Sequence, residues 1–175
     1  MNTTVATKAS VIAATCLVGI VAFSLRLAHV SADPALGLSV SRAPYTDEGL
    51  KYYQARNRAL FGHWFVKTPY AVQGHLDSSP VPTIAAVAVF KIFGVGRVQA
   101  KMISVVSGSL SCVMLVLVGL RAGRPAAGFL AGVFAVLNYV LFSYDRLALF
   151  ESPTVLLCLL AVYAFLGSGR FRLVW

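Results

Sequence analysis

The chain has 175 residues, 58% of them hydrophobic and 12% charged, with a mean hydropathy of +0.78. Soluble domains average about half apolar and a quarter charged, and here the apolar surplus is gathered into long blocks, so composition excludes a soluble globular domain and points to a bilayer. The net charge of +9 is scattered between those blocks, not gathered in a basic module with interleaved aromatics; this argues against nucleic acid and for anionic lipid headgroups or a phosphate-bearing substrate.

In chain order, an apolar run from Ala9 to Leu25 follows Lys8 and extends past Arg26 to Val30. With Arg26 snorkelling towards water, residues 9–30 are long enough to cross a ~30 Å hydrocarbon layer. A cleaved secretory signal ending at Val30-Ser31-Ala32 is the rival reading, but the run exceeds the ~7–15 residues of a signal's apolar core. Residues 31–101 then read as an external loop. Asp33-Pro34 and Ala43-Pro44 stop any helix entering them. From Thr46 onward Leu50, Tyr53, Leu60, Phe61 and Trp64 recur at helical spacing, which predicts an amphipathic helix lying at the interface. The apolar stretch from Val81 to Phe93 falls short of the ~20 residues of a span, so it is expected to lie in the interface or re-enter.

Three further spans are expected at about 102–120, 126–142 and 153–167, separated by Arg121-Ala122-Gly123-Arg124-Pro125 and by Ser143-Tyr144-Asp145-Arg146. The fold class is therefore an all-α membrane protein, a single domain of about four transmembrane helices with interfacial helices in the first loop. Gly128 with Gly132, and Ser104 with Gly108, sit at the spacing that lets membrane helices approach closely. Cys16, Cys112 and Cys158 each fall inside an apolar run and read as small packing residues. If Val81–Phe93 does not cross, Lys8, Arg121/Arg124 and Arg170/Arg172 share one side, expected to be cytoplasmic, and the loops holding Asp47 and Glu151 face outward together. A multi-pass protein of the plasma membrane is the expected setting.

Acidic residues number only 6, which makes their positions informative. Asp47 and Glu48 open the helix that Thr46 caps, where free backbone N–H groups favour an ionised carboxylate. They serve either as a simple cap or as a general base or cation ligand. Glu151, at the outer mouth of the last span near Asp145 and Arg146, is either an ion-pair partner in the turn or a functional acid. Arg56, Arg58, Lys67, Lys91, Arg97 and Lys101 load the outer side with cations suited to headgroups or to a substrate phosphate. Arg97 and Lys101 stand out because a span emerges there. His63 and His75 lack metal-motif spacing, and no HExxH, CxxC or P-loop pattern occurs.

Asp47-Glu48, Tyr52/Tyr53, Ala55-Arg56, Leu60, Gly62 and Trp64 together resemble the first external loop of the dolichyl-phosphate-mannose protein mannosyltransferase superfamily. These are multi-pass GT-C glycosyltransferases that include the bacterial lipid A aminoarabinose transferases. Phe90-Lys91-Ile92-Phe93-Gly94 with Arg97 and Ser104, and then Arg146 with Glu151, resemble two later motifs of the same family, in the same order. The resemblance spans about residues 40–165 and implies an inverting transfer of a sugar from a polyprenyl-phosphate donor to a lipid, glycan or protein acceptor. It implies Asp47 as general base, Glu48 and Glu151 shaping the acceptor or a divalent-cation site, and Tyr53, Arg56, Arg97, Lys101 and Arg146 binding substrate. No cofactor beyond that cation is implied. Two departures stand out: Ser79-Pro80-Val81-Pro82 replaces a His-Pro-Pro-like run, and the chain corresponds only to the N-terminal part of the family pattern. A C-terminal half is thus an expected partner. A catalytically inactive membrane subunit on the same scaffold is the alternative, and a transporter is disfavoured because the spans hold almost no polar residues.

Overall fold

Long apolar runs punctuated by proline and glycine fold as helices whose ends coincide with that punctuation. A computed structural model of the chain describes residues 3–32, 46–64 and 79–167, with side chains described for 8–32, 51–64 and 79–167. The helices are α1 (Thr3–Leu27), α2 (Thr46–Phe61), α3 (Pro80–Phe93), α4 (Arg97–Arg121), α5 (Pro125–Leu137), α6 (Tyr139–Tyr144) and α7 (Glu151–Gly167), with a 3₁₀ turn at Val30–Ala32. Among the described residues there is no strand. α3 and α5 each start on a proline, whose missing N–H costs nothing in the first turn. α3 stops at Gly94, which turns the chain at φ 83°.

Two helices are long and apolar enough to cross a membrane: the 20 residues Lys8–Leu27 of α1 and the 25 residues of α4. α3, α5 and α7, of 14, 13 and 17 residues, are apolar but shorter than the ~20 a straight crossing needs. The four full-length spans expected from sequence are therefore two. The third breaks at Asn138, whose ψ of 115° leaves the helical region and whose side chain accepts a hydrogen bond from the Leu141 amide at 3.0 Å to start α6. α4 begins earlier than expected, so Arg97 and Lys101 belong to its first turns instead of the loop before it.

α4 is the hub, packed against α1, α5 and α7. It runs antiparallel to α1: Gly19 faces Val113 near the middle, and Lys101 reaches the Val30 carbonyl just past the end of α1. It is antiparallel to α5 as well, where a Cβ on Gly119 would strike the backbone of Gly128, and one on Gly132 would meet Val116 and the Cys112 carbonyl. That close approach is what the small-residue spacing anticipated. α7 runs parallel to α4, from Ser104 bonded to the Leu149 carbonyl at 2.8 Å to Arg121 stacked over the Tyr163 ring at 4.3 Å. Of α7 only Ser152 and Pro153 are buried, and most of its apolar side chains face outward.

α2 and α3 pack together and close over the end of the bundle where α1 finishes and α4 and α7 begin. The ring of Tyr52 meets Phe90 of α3 edge-on at 6.2 Å and Phe150 at 5.0 Å, next to Ala55, Ala86, Ala100 and Ile103. The buried face of α2 is thus Tyr52 and Ala55 together with the polar Gln54 and Asn57, while Leu60 and Phe61 are exposed. The sequence pattern had assigned the apolar face to Leu50, Tyr53, Leu60, Phe61 and Trp64; Tyr52 is buried because its aromatic partners come from distant parts of the chain. The side chains of Asp47 and Glu48 lie outside the described residues, as do Lys67, His75, Arg170 and Arg172.

Candidate functional site

α2, α3 and the first turns of α4 enclose a cavity of about 420 Å³. Tyr52, Phe90, Ala100 and Ala148 form its apolar wall, and Tyr53, Arg56, Arg97 and Lys101 line it as well. Three of these are cations, and among the described residues no acid lines the cavity. Arg56 and Arg97 are exposed, whereas Lys101 is 2% exposed and donates from Nζ to the Val30 carbonyl at 3.1 Å. Two exposed guanidinium groups and one buried ammonium suit a ligand with an anionic head and an apolar body. Four of the five substrate-binding residues expected from sequence are brought together here.

The fifth, Arg146, does other work. One guanidinium nitrogen donates to the carbonyls of Leu25 and Arg26 at 3.1 and 3.0 Å, and the group stacks on Phe142 at 5.0 Å. It caps the C-terminal end of α1, where unsatisfied carbonyls favour a cation.

Beneath this cap lies a second cavity, of about 230 Å³, between α1, α4, α6 and α7. Arg26 is fully buried there. Its Nε donates to Oδ2 of Asp145 at 2.7 Å, and its terminal nitrogens reach the carbonyls of Ala22 and Ala135, each at 3.3 Å. The expected snorkelling of Arg26 is thus corrected, since an acid and two carbonyls satisfy it inside the bundle. Gly108 makes room, because a Cβ at that position would collide with the Asp145 carboxylate. Asp145 lies past the end of α6, outside both long helices. Removal from water pushes its carboxyl up, while the Ser152 hydroxyl and the Arg26 guanidinium pull in the other direction.

Glu151 lines this second cavity and is exposed at the start of α7. It stands immediately after Phe150, the ring packed on Tyr52 at the first cavity. One short segment, Ala148 to Glu151, thereby joins the two. The backbone of Asp47 and Glu48 forms the first turn of α2, at the same end of the bundle. Among the described residues no cluster of His, Cys, Asp or Glu is fit to hold a metal.

Sequence reasoning missed the Arg26–Asp145 pair, offering only a local ion pair of Arg146 with Glu151 or Asp145 as one alternative. The usable signal was an arginine inside an otherwise apolar block, which demands an acid from elsewhere. No protein-family model, curated protein or solved structure matches the chain.

Proposed function

We propose that this chain is a membrane glycosyltransferase, or the N-terminal portion of one, moving a sugar from a polyprenyl-phosphate donor to an acceptor at the external face. The observation that carries the reading is the cavity lined by Tyr53, Arg56, Arg97 and Lys101 at the bundle end that also holds Glu151 and the first turn of α2. The shorter apolar helices α5, with α6, and α7 complete four crossings beside α1 and α4. In this reading Arg56, Arg97 and Lys101 offset the charge left on the departing lipid phosphate, and the apolar wall holds the first part of the isoprenoid. Asp47 takes the proton from the acceptor hydroxyl as the sugar transfers with inversion, and Glu48 and Glu151 shape the acceptor or a divalent-cation site. Arg146, tied to α1, positions the turn that carries Glu151.

A second reading, a membrane subunit without catalysis, is favoured by the bonding of Lys101 and Arg146 to backbone carbonyls of the α1 segment. Sugar transfer from polyprenyl-phosphate donors, assayed in membranes, separates the two. The glycosyltransferase reading expects Asp47→Ala to lower transfer by about 10²–10⁴-fold and Arg97→Ala by about 10²–10³-fold. Transfer unchanged by both Asp47→Ala and Glu151→Ala removes the enzymatic roles. Stable insertion of the intact chain without transfer favours the subunit, or a chain that needs further helices.

A further inference from the structure

At the opposite end of the bundle from the cation-lined cavity, a groove of about 380 Å³ runs between α1, α4 and α5. Val11 and Ala14 of α1, Val116 and Leu120 of α4, and Ala126 and Phe129 of α5 give it apolar walls. The Thr15 hydroxyl, one of its two polar side chains, donates to the Val11 carbonyl of its own helix at 2.8 Å, so its proton is already bonded within α1. Its volume falls within the roughly 300–1,000 Å³ typical of ligand sites.

Two cations lie close in sequence to residues that line this groove. Lys8 lies just before Ser10 on α1, and Arg124 immediately precedes Pro125 at the start of α5; both are exposed. Arg124 is also the N-cap residue of α5 and makes no side-chain capping bond. Pro125 has no N–H, and the first ladder bond of the helix is Gly128 to the Arg124 carbonyl at 3.0 Å. The amides of Ala126 and Ala127 therefore stand ahead of the ladder, at the positive end of the helix dipole. Two exposed cations, each close in sequence to residues of the groove wall, and this helix start thus belong to the end of the bundle where the groove lies. Neighbouring Arg121 is drawn aside over Tyr163 on the α7 flank.

We propose that this groove binds one acyl chain of an anionic glycerophospholipid, with the headgroup phosphate held between Lys8, Arg124 and the start of α5. The charge complementarity picks the occupant: a neutral lipid would fill the channel but gain nothing at its mouth, and a free phosphate would gain nothing along its walls. Basic pockets between membrane helices on the positively charged side commonly take such lipids. The site is independent of the proposed transfer chemistry, because it uses the other end of the bundle.

The test uses the full chain in neutral detergent, with lipid retention read by native mass spectrometry and thermal midpoint by circular dichroism. Dioleoyl phosphatidylglycerol is expected to be retained and to raise the midpoint more than dioleoyl phosphatidylcholine, and inorganic phosphate alone to do neither. Lys8→Gln with Arg124→Gln, both at exposed positions, is expected to weaken phosphatidylglycerol binding about fivefold per charge removed and leave phosphatidylcholine unchanged. Ala126→Trp, filling the groove, is expected to weaken both lipids. Equal retention of the two lipids by the unaltered chain overturns the proposal. So does a preference that survives the double variant, or one lost instead with Arg56→Gln and Arg97→Gln, or stabilisation by phosphate alone.

Discussion

Arg26 and Asp145 meet at 2.7 Å although 119 positions separate them, and both side chains are almost wholly withdrawn from solvent. This pair fixes the end of α1 to the turn before α7, and so sets where Glu151 stands relative to α2. Removing one partner leaves a charge stranded among apolar helices, at a cost of about 3–5 kcal/mol. Arg26→Ala and Asp145→Ala are each expected to lose that much in detergent unfolding followed by circular dichroism. Arg26→Leu combined with Asp145→Leu is expected to lose less than either single change, because no charge is then left unpaired.

Gly108 is the notch that admits the carboxylate. Gly108→Ala places a Cβ into the Asp145 side chain and is expected to cost about 1–3 kcal/mol. In an Asp145→Ala background the same change should cost much less, and a double-mutant cycle reads the difference.

Arg146 holds two terminal carbonyls of α1, and hydrogen bonds to a charged group contribute about 1.5–3 kcal/mol. Arg146→Ala is expected to speed amide hydrogen exchange in the last turn of α1. Exchange in α5 should stay unchanged.

Two glycines separate close packing from backbone freedom. Gly119→Leu drives a side chain into the Gly128 backbone, which cannot yield; it is expected to part α4 from α5 and lower the unfolding midpoint sharply. Gly62→Ala meets nothing within 4 Å but sits at φ 77°. Its cost should be limited to the ~1–2 kcal/mol of a left-handed conformation.

The helical class, the glycine contacts of α5 and the shortness of the Val81–Phe93 segment were legible in the sequence, because each rests on a local property: run length, residue size or a flanking proline. Tyr53, Arg56, Arg97 and Lys101 were legible as three cations of one side with a tyrosine, grouped as substrate-binding only through the family resemblance. Their convergence depends on Tyr52 inserting between Phe90 and Phe150, and periodicity cannot choose between Tyr52 and Tyr53 for that role. Asn138 was read as part of one span, since a single polar residue in an apolar run carries little weight until its side chain caps the next helix. The partnership of Arg26 with Asp145 was hidden for a related reason: a nearer arginine, Arg146, competed for the same acid on paper, while tertiary packing sent it to the carbonyls of α1.

The most direct measurement of the central claim is sidedness. In a chain whose native cysteines are replaced, Arg56→Cys, Glu151→Cys and Arg124→Cys are introduced one at a time and labelled with an impermeant thiol reagent in sealed, oriented vesicles. The account predicts that positions 56 and 151 label from one side and position 124 from the other. Labelling of 56 and 151 from opposite sides would contradict it.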